Sequence, residues 1–211
     1  MSELPPVSET SSAAEGRRSS GSLRKFLSAW LDDPRGIGAV APSSRKLGRT
    51  MASFVDRDRL VVEVGAGTGP VTEALLESGV PAERLVAVEQ SGRLAEHLTR
   101  RFPAICVVEG DAAEIGKYIG DEQVGKVGAV VSSLPLRSLP KGVCTAIVAE
   151  MHRILAPDGL VIQFTYDPRQ GDFYRDGFER VDHRWVLGNL PPARVDVFEK
   201  DAGRKMEAQS T

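Results

Sequence analysis

Glu63-Val64-Gly65-Ala66-Gly67-Thr68-Gly69 is the stretch that decides the fold. The residues before it, 60–64, form a valine-rich apolar run that reads as a strand, and 71–78 after it read as a helix. Glycines are needed where backbone must approach a ligand with no Cβ in between, and the start of a helix offers free N–H groups. A dinucleotide site wants G-x-G-x-x-G with a pyrophosphate on the helix N-terminus. Here the spacing is G-x-G-x-G, and an acid, Glu63, stands two residues before the first glycine. A carboxylate there would repel a pyrophosphate. It suits a cationic ligand, such as one bearing an amino group and a sulfonium.

Downstream of this turn, strands and helices alternate. Strands are expected at 85–88, 105–108, 127–131 and 159–166, with helices at 92–101, 112–119 and 141–155. Such alternation argues for a parallel sheet with helices on both faces, and the continuous apolar runs fit strands buried on both sides. The end of the chain breaks the pattern. Residues 179–187 and 193–199, joined by Asn189-Leu190-Pro191-Pro192, leave no room for a helix and read as an antiparallel pair. The fold class expected is α/β, a mostly parallel seven-stranded sheet with a C-terminal antiparallel strand pair and N-terminal helices. Glu89 ends the second strand, twenty residues after Gly69, where an acid can accept both ribose hydroxyls. Asp111 follows the third strand and either accepts an adenine amino group or caps the helix that begins at Ala112.

The glycine turn and its two acids resemble the S-adenosylmethionine-dependent methyltransferases of the Rossmann-like class I. That resemblance implies S-adenosyl-L-methionine as cofactor, with S-adenosyl-L-homocysteine as product. The binding set it implies is Glu63, Gly65, Gly67, Gly69, Glu89, Gln90, Asp111, Ala112 and Ser132. The fourth strand ends Ser132-Ser133-Leu134-Pro135-Leu136. Methyltransferases acting on the amino groups of bases often carry Asn-Pro-Pro-Tyr-like sequences here, and Ser133 and Leu136 depart from that pattern at both key places. Stacking against a base thereby loses its platform.

The N-terminal region narrows the resemblance. Residues 1–21 are Ser, Glu, Pro, Gly and Arg with little to bury and read as a disordered tail, as do 200–211. Leu23, Phe26, Leu27, Trp30 and Leu31 then draw one apolar stripe on a helix, flanked by Arg24 and Lys25. Between Arg17 and Arg49 stand eight cations against two acids, Asp32 and Asp33. A second helix is expected at 45–55, with Leu47, Met51 and Phe54 or Val55 on one side, so 22–56 forms an N-terminal helical unit before the methyltransferase domain at 57–199. Phe26, Trp30, Pro34 and Gly38-Ala39-Val40-Ala41-Pro42-Ser43-Ser44-Arg45 resemble the bacterial soluble-type phospholipid N-methyltransferases. So do Leu134-Pro135-Leu136-Arg137-Ser138-Leu139-Pro140 and Arg184-Trp185 followed by Asn189–Ala193. The resemblance runs from about Leu23 to Phe198. It implies N-methylation of phosphatidylethanolamine and its methylated intermediates toward phosphatidylcholine at a membrane surface. Ser43, Arg45, Leu134 and Pro135 are then expected at the substrate or in a lid. An amphipathic basic helix with Trp and Phe on its apolar face is what interfacial docking to anionic lipid needs, although the same stripe would also serve as a lid.

Composition excludes other classes. The 211 residues carry 27 Lys and Arg against 29 Asp and Glu, a net −2, so the chain as a whole is not a polycation for nucleic acid. No apolar stretch reaches the roughly 18 residues of a membrane span. No basic, apolar leader is seen, and a cytoplasmic, peripheral monomer is the expectation. The two cysteines, Cys106 and Cys144, rule out a disulfide scaffold and read as inert core residues, and no Cys/His cluster has metal-ligand spacing. Transfer from a sulfonium asks mainly for alignment with a deprotonated amine. Candidates to orient it or take its proton are Tyr166, at the end of the fifth strand, His183, which reads more readily as a surface residue, and the carbonyls around Ser132. His97 and His152 read as solvated. An RNA adenine N6-methyltransferase and a non-catalytic cofactor-binding module remain as alternatives.

Overall fold

The computed structural model describes residues 45–166, 174, 177–187 and 192–201. The stripe from Leu23 to Leu31, Ser43 and the connection at 188–191 lie outside the described residues. The chain enters through α1 (Arg45–Ala52), whose Leu47 and Met51 are fully buried, with Val55 covered just beyond. Then follow β1 (Val61–Val64), α2 (Pro70–Glu77), β2 (Leu85–Glu89), α3 (Gly92–Arg101) and β3 (Cys106–Glu109). After a short turn of 3-10 helix come α4 (Ile115–Ile119), β4 (Val127–Ser132), α5 (Lys141–Ile154), β5 (Leu155–Thr165), β6 (Phe178–Val186) and β7 (Ala193–Lys200).

The seven strands lie in the order β3-β2-β1-β4-β5-β7-β6. β1 to β5 are parallel, and β7 is antiparallel to both β5 and β6. The expected α/β sheet with its C-terminal antiparallel pair is therefore the observed one, and β7 fills the place between β5 and β6. Strand order reverses between β1 and β4, which opens a crevice at the carboxyl ends of those two strands. One register row, Val108–Val88–Val64–Ser132–Gln163–Asp196–His183, crosses all seven strands and marks where that edge begins.

Alternation along the strands feeds two cores. Val62, Val64, Val130 and Val161 face α4 and α5 with Ile147, Met151 and Ile154, whereas Val61, Ala129, Val131 and Ile162 face α1, α2 and α3 with Leu47, Met51, Leu75 and Leu98. β5 begins earlier than its sequence suggests. Leu155 already pairs with Val127, the ladder breaks over Pro157 and Gly159, and pairing resumes at Leu160 with Ala129. Pro157 has no N–H to give the ladder, and Asp158 there binds Arg59 instead (2.9 Å). Three expectations are corrected, the first being His97 on α3, which is half-buried and not solvated. Cys106 is exposed, not in the core, because β3 is the outer strand and has a neighbour on one side only. His152 is half-buried, not solvated. Its ring meets Phe178 edge-on at 5.4 Å, and burial pushes its pKa down.

Ile162 touches no solvent and lies in the middle of the sheet. Ile162→Ala should therefore cost about 2–5 kcal/mol in urea unfolding, the range for truncating a buried aliphatic side chain.

Candidate active site at the carboxyl edge of the sheet

The chain leaves β1 through three glycines with positive φ: Gly65 at 71°, Gly67 at 59° and Gly69 at 86°. Their surroundings differ. A Cβ on Gly65 would sit 2.7 Å from Leu134 Cδ2, and one on Gly69 would run into the Phe102 ring. A Cβ on Gly67 would meet nothing nearer than the Gly65 carbonyl at 4.0 Å. The first and third glycines are thus required by packing within the chain, and the second faces open space.

Glu89 holds this turn in place. Its Oε2 accepts from the Gly67 N–H and its Oε1 from the Ser91 N–H, both at 2.9 Å, and its carboxylate is buried. One side chain from the end of β2 so ties the turn after β1 to the entry of α3. The turn is also braced from behind, where Arg101 Nη1 donates to the Thr68 carbonyl (2.7 Å) and Nη2 pairs with Glu73 (3.1 Å).

Glu63 is fully buried. Thr72 Oγ1 donates to its Oε2 at 2.6 Å, and its Oε1 has no hydrogen-bond partner. Desolvation, with the Glu89 charge adding to it, pushes the Glu63 carboxyl from 4.5 up to about 7 despite the Thr72 hydrogen bond. Burial likewise raises Glu89, against the backbone donors that favour its ionised form.

At the end of β4, Ser132 is fully buried and its Oγ accepts from the Leu134 N–H (3.4 Å). Leu134 covers Gly65, and its carbonyl accepts from Gln163 Nε2 (3.2 Å), whose Oε1 accepts from Tyr174 Oη (3.2 Å). Pro135 stays half-buried, whereas Leu136 turns into the core. Asp111 caps the 3-10 turn through Ala113 N–H (2.9 Å), while its own N–H donates to Tyr118 Oη (3.0 Å), and Ala112 is buried beside it. Tyr166, just past β5, packs edge-on against Phe164 with ring centres 5.5 Å apart. Arg45 is exposed at the start of α1.

The expected residues Glu63, Gly65, Gly67, Gly69, Glu89 and Ser132 come together around the ends of β1, β2 and β4, and Asp111 lies one strand further out. His183 does not join them. It is exposed on β6, separated from β4 by β5 and β7. Sequence reasoning missed Thr72, Gln163, Tyr174 and Tyr118. Gln163 carried a signal, as the polar residue in the run Leu160-Val161-Ile162-Gln163-Phe164. Three buried polar atoms without a hydrogen bond gather on this edge: Glu63 Oε1, Gln90 Oε1 and Ser133 Oγ. Unpaired polar atoms and a glycine facing open space are what a polar, partly cationic ligand requires, so the residues present fit such a cofactor.

Comparison with known proteins agrees. A family model described as "Methyltransferase domain" matches residues 61–159. The ornithine lipid N-methyltransferase of Singulisphaera acidiphila is 33% identical over 174 residues, 80% of this chain and 91% of that protein. The ribosomal RNA small subunit methyltransferase A of a Synechococcus strain is 30% identical over 115 residues, 53% of this chain and 37% of that protein. Among solved structures, the Burkholderia thailandensis 1,6-didemethyltoxoflavin-N1-methyltransferase superposes with a TM-score of 0.63 at 18% identity, covering 92% of this chain and 93% of that one. The fold is that of the Rossmann-like methyltransferases, and the chain belongs to the S-adenosylmethionine-dependent methyltransferases. It is an enzyme whose cofactor is S-adenosylmethionine. Among the described residues no helix is long and apolar enough to cross a membrane.

Because the Glu63 carboxyl is raised in the folded chain, its contribution to stability is full below about 4.5 and is lost as pH rises through about 7. Ligand-free protein should therefore lose stability relative to Glu63→Gln across that window, measured as urea unfolding free energies at a series of pH values.

Proposed function

We propose that this enzyme N-methylates the amino headgroup of a membrane lipid, converting phosphatidylethanolamine and its methylated intermediates toward phosphatidylcholine. The observation that carries this reading is the relative named for a lipid N-methyltransferase, matched over 80% of the chain. The end of β4 supports it. Leu136 is 4% exposed and packed in the core, so no side chain there offers a base a stacking face.

The proposed cofactor site consists of the glycine turn, Glu63, Glu89 with Gln90, Asp111 with Ala112, and Ser132. Glu63 faces the cationic part, Glu89 the ribose hydroxyls and Asp111 the adenine amino group. Bound there, S-adenosylmethionine supplies an electrophilic methyl group. The chain's own task is to present a neutral amine, since such amines are mostly protonated near neutral pH. Tyr166 and the carbonyls around Ser132 are the proposed groups to orient that amine or take its proton. Leu134 and Pro135 border the entrance, and Ser43 and Arg45 are assigned to the substrate or a lid. The stripe of Leu23, Phe26, Leu27, Trp30 and Leu31, with Arg24 and Lys25, is assigned to docking a monomer on anionic lipid at the cytoplasmic face.

Labelled S-adenosylmethionine offered with vesicles of phosphatidylethanolamine, vesicles of ornithine lipid, or RNA tests the substrate. Label in phosphatidylethanolamine is expected. Label in ornithine lipid alone would change the headgroup, and label in RNA alone would overturn the reading. For the cofactor site, Gly67→Val and Glu89→Ala should each weaken S-adenosylmethionine binding by about tenfold or more in calorimetry on folded protein. Losing hydrogen bonds to a charged group is worth about 1.5–3 kcal/mol. Unchanged affinity in both variants would refute the assignment.

A further inference from the structure

Among the described residues, the large apolar side chains left in solvent are Val181, Trp185 and Leu187, at 49%, 48% and 73% exposure. All three belong to β6 or the turn that ends it. β6 is the outer strand of the sheet, and from Glu179 to Trp185 it is exposed on both faces.

The register relates this strand to the active site. β6 is antiparallel to β7 and β7 to β5, so β6 runs in the direction of β1, β4 and β5. Trp185 stands in the row Thr165–Arg194–Trp185, two residues beyond the row that contains Ser132 and His183. Trp185 and Leu187 therefore lie at the same edge of the sheet as the glycine turn, Ser133 and Tyr166. Trp185 near the end of β6 and Leu187 in the turn just after it thus give that edge an exposed apolar strip.

Cations accompany that strip. The Arg194 guanidinium lies 5.8 Å from the centre of the indole and, buried and paired with Asp196 (2.9 Å), braces the ring from within the sheet. On the other face, Arg184 lies over the Phe54 ring at 4.4 Å. α1, whose charged residues Arg45, Lys46 and Arg49 are all cationic, packs against the same strand. An exposed indole next to an aliphatic chain, with the exposed cation of Arg184 on the neighbouring face, matches the lipid–water boundary. The ring settles at headgroup depth there, and the cations meet phosphates.

We propose that the β6 edge, through Trp185 and Leu187 with Arg184 alongside, is a docking surface for an anionic lipid bilayer, and that it turns the carboxyl edge of the sheet toward the headgroups. The proposal rests on the lipid-substrate reading and concerns a part of the chain distinct from the N-terminal stripe. A second copy of the chain is the less suitable occupant. The β6–β7 ladder is irregular between Arg180 and Asp182, and such bulges blunt an edge against pairing with another strand.

The chain has two tryptophans, Trp30 and Trp185, so Trp30→Phe leaves Trp185 as the fluorescent reporter in the full chain. Vesicles of phosphatidylethanolamine and phosphatidylglycerol with brominated acyl chains are titrated in. The expected result is a blue shift and saturable quenching of Trp185. Leu187→Ser, at an exposed position, should weaken lipid affinity by about tenfold. Arg184→Gln should weaken it more at low salt than at high salt. Trp185 emission that stays unchanged while the chain floats with the vesicles overturns the proposal. So does a chain that does not bind vesicles, or an emission shift that follows protein concentration without lipid, which would mean a second copy covers the strand. Methyl transfer to phosphatidylethanolamine in detergent micelles is measured in parallel. Quenching without transfer leaves the docking surface standing and removes the substrate reading, and transfer with Trp185 still in water does the reverse.

Discussion

The Glu89 carboxylate, buried between the Gly67 and Ser91 N–H groups, is the constraint on which the carboxyl edge of the sheet depends. Without it two backbone donors beyond adjacent strand ends would lose their acceptor, and the Gly67 peptide would lose its side-chain tie to the end of β2. Burying a carboxylate is unfavourable unless donors compensate it, and here the backbone does so. Glu63 has a weaker compensation. Thr72 satisfies one oxygen, the other has no partner, and a second negative charge stands nearby. Such a group is held at the expense of stability, and a cation bound beside it would favour the ionised form and stabilise the folded chain by mass action.

The rest of the edge is arranged so that the middle glycine of the turn is left open. Leu134 from the β4 end closes over Gly65, and Phe102 and Leu98 from α3 close under Gly69. Arg101 fixes Thr68 from behind. All of these come from segments that follow a strand, and all converge because strand order reverses between β1 and β4. Gly67 is the member of the turn left without a neighbour on its Cβ side. The same packing that makes the turn rigid therefore selects where a ligand can lie against backbone.

Much of this was legible from the residues alone. The glycine turn with its flanking acids specified a strand–turn–helix unit, and the apolar runs gave strands whose ends fell within a residue or two of the observed ones in most cases. β5 was the exception. Leu155 pairs with β4 well before the ladder resumes at Leu160, because it follows α5 directly and its side chain is needed in the core. Cys106 was misplaced because a valine-rich run looks the same in a central strand and in an outer one, and only sheet order distinguishes them. At the site, the acids were readable since a carboxylate at a strand end is conspicuous. Their partners were not. Thr72 sits in an ordinary helical first turn, and the chain from Tyr174 through Gln163 to the Leu134 carbonyl joins residues far apart in sequence. Glu89 was expected to serve a ribose, and its grip on the Gly67 backbone could not be inferred, because it depends on the parallel pairing of β1 and β2.

The insertion of β7 between β5 and β6 links the fold to the proposed lipid substrate. Had β6 simply followed β5 as an antiparallel neighbour, its end would lie at the opposite edge, away from the glycine turn. With β7 between them β6 runs parallel to β5, so Trp185 and Leu187 arrive at the edge that holds the glycine turn. An enzyme acting on a headgroup must bring its reaction centre to the depth of the phosphates while keeping the cofactor pocket intact. Placing the exposed apolar side chains on an outer strand meets both demands. The strand is far enough from β1 and β2 that lipid contact does not disturb the glycine turn, and rigid enough, through its long ladder with β7, to transmit orientation to the whole sheet. On this view the C-terminal antiparallel pair is more than a closing element of the sheet, since it determines which edge of the molecule faces the bilayer.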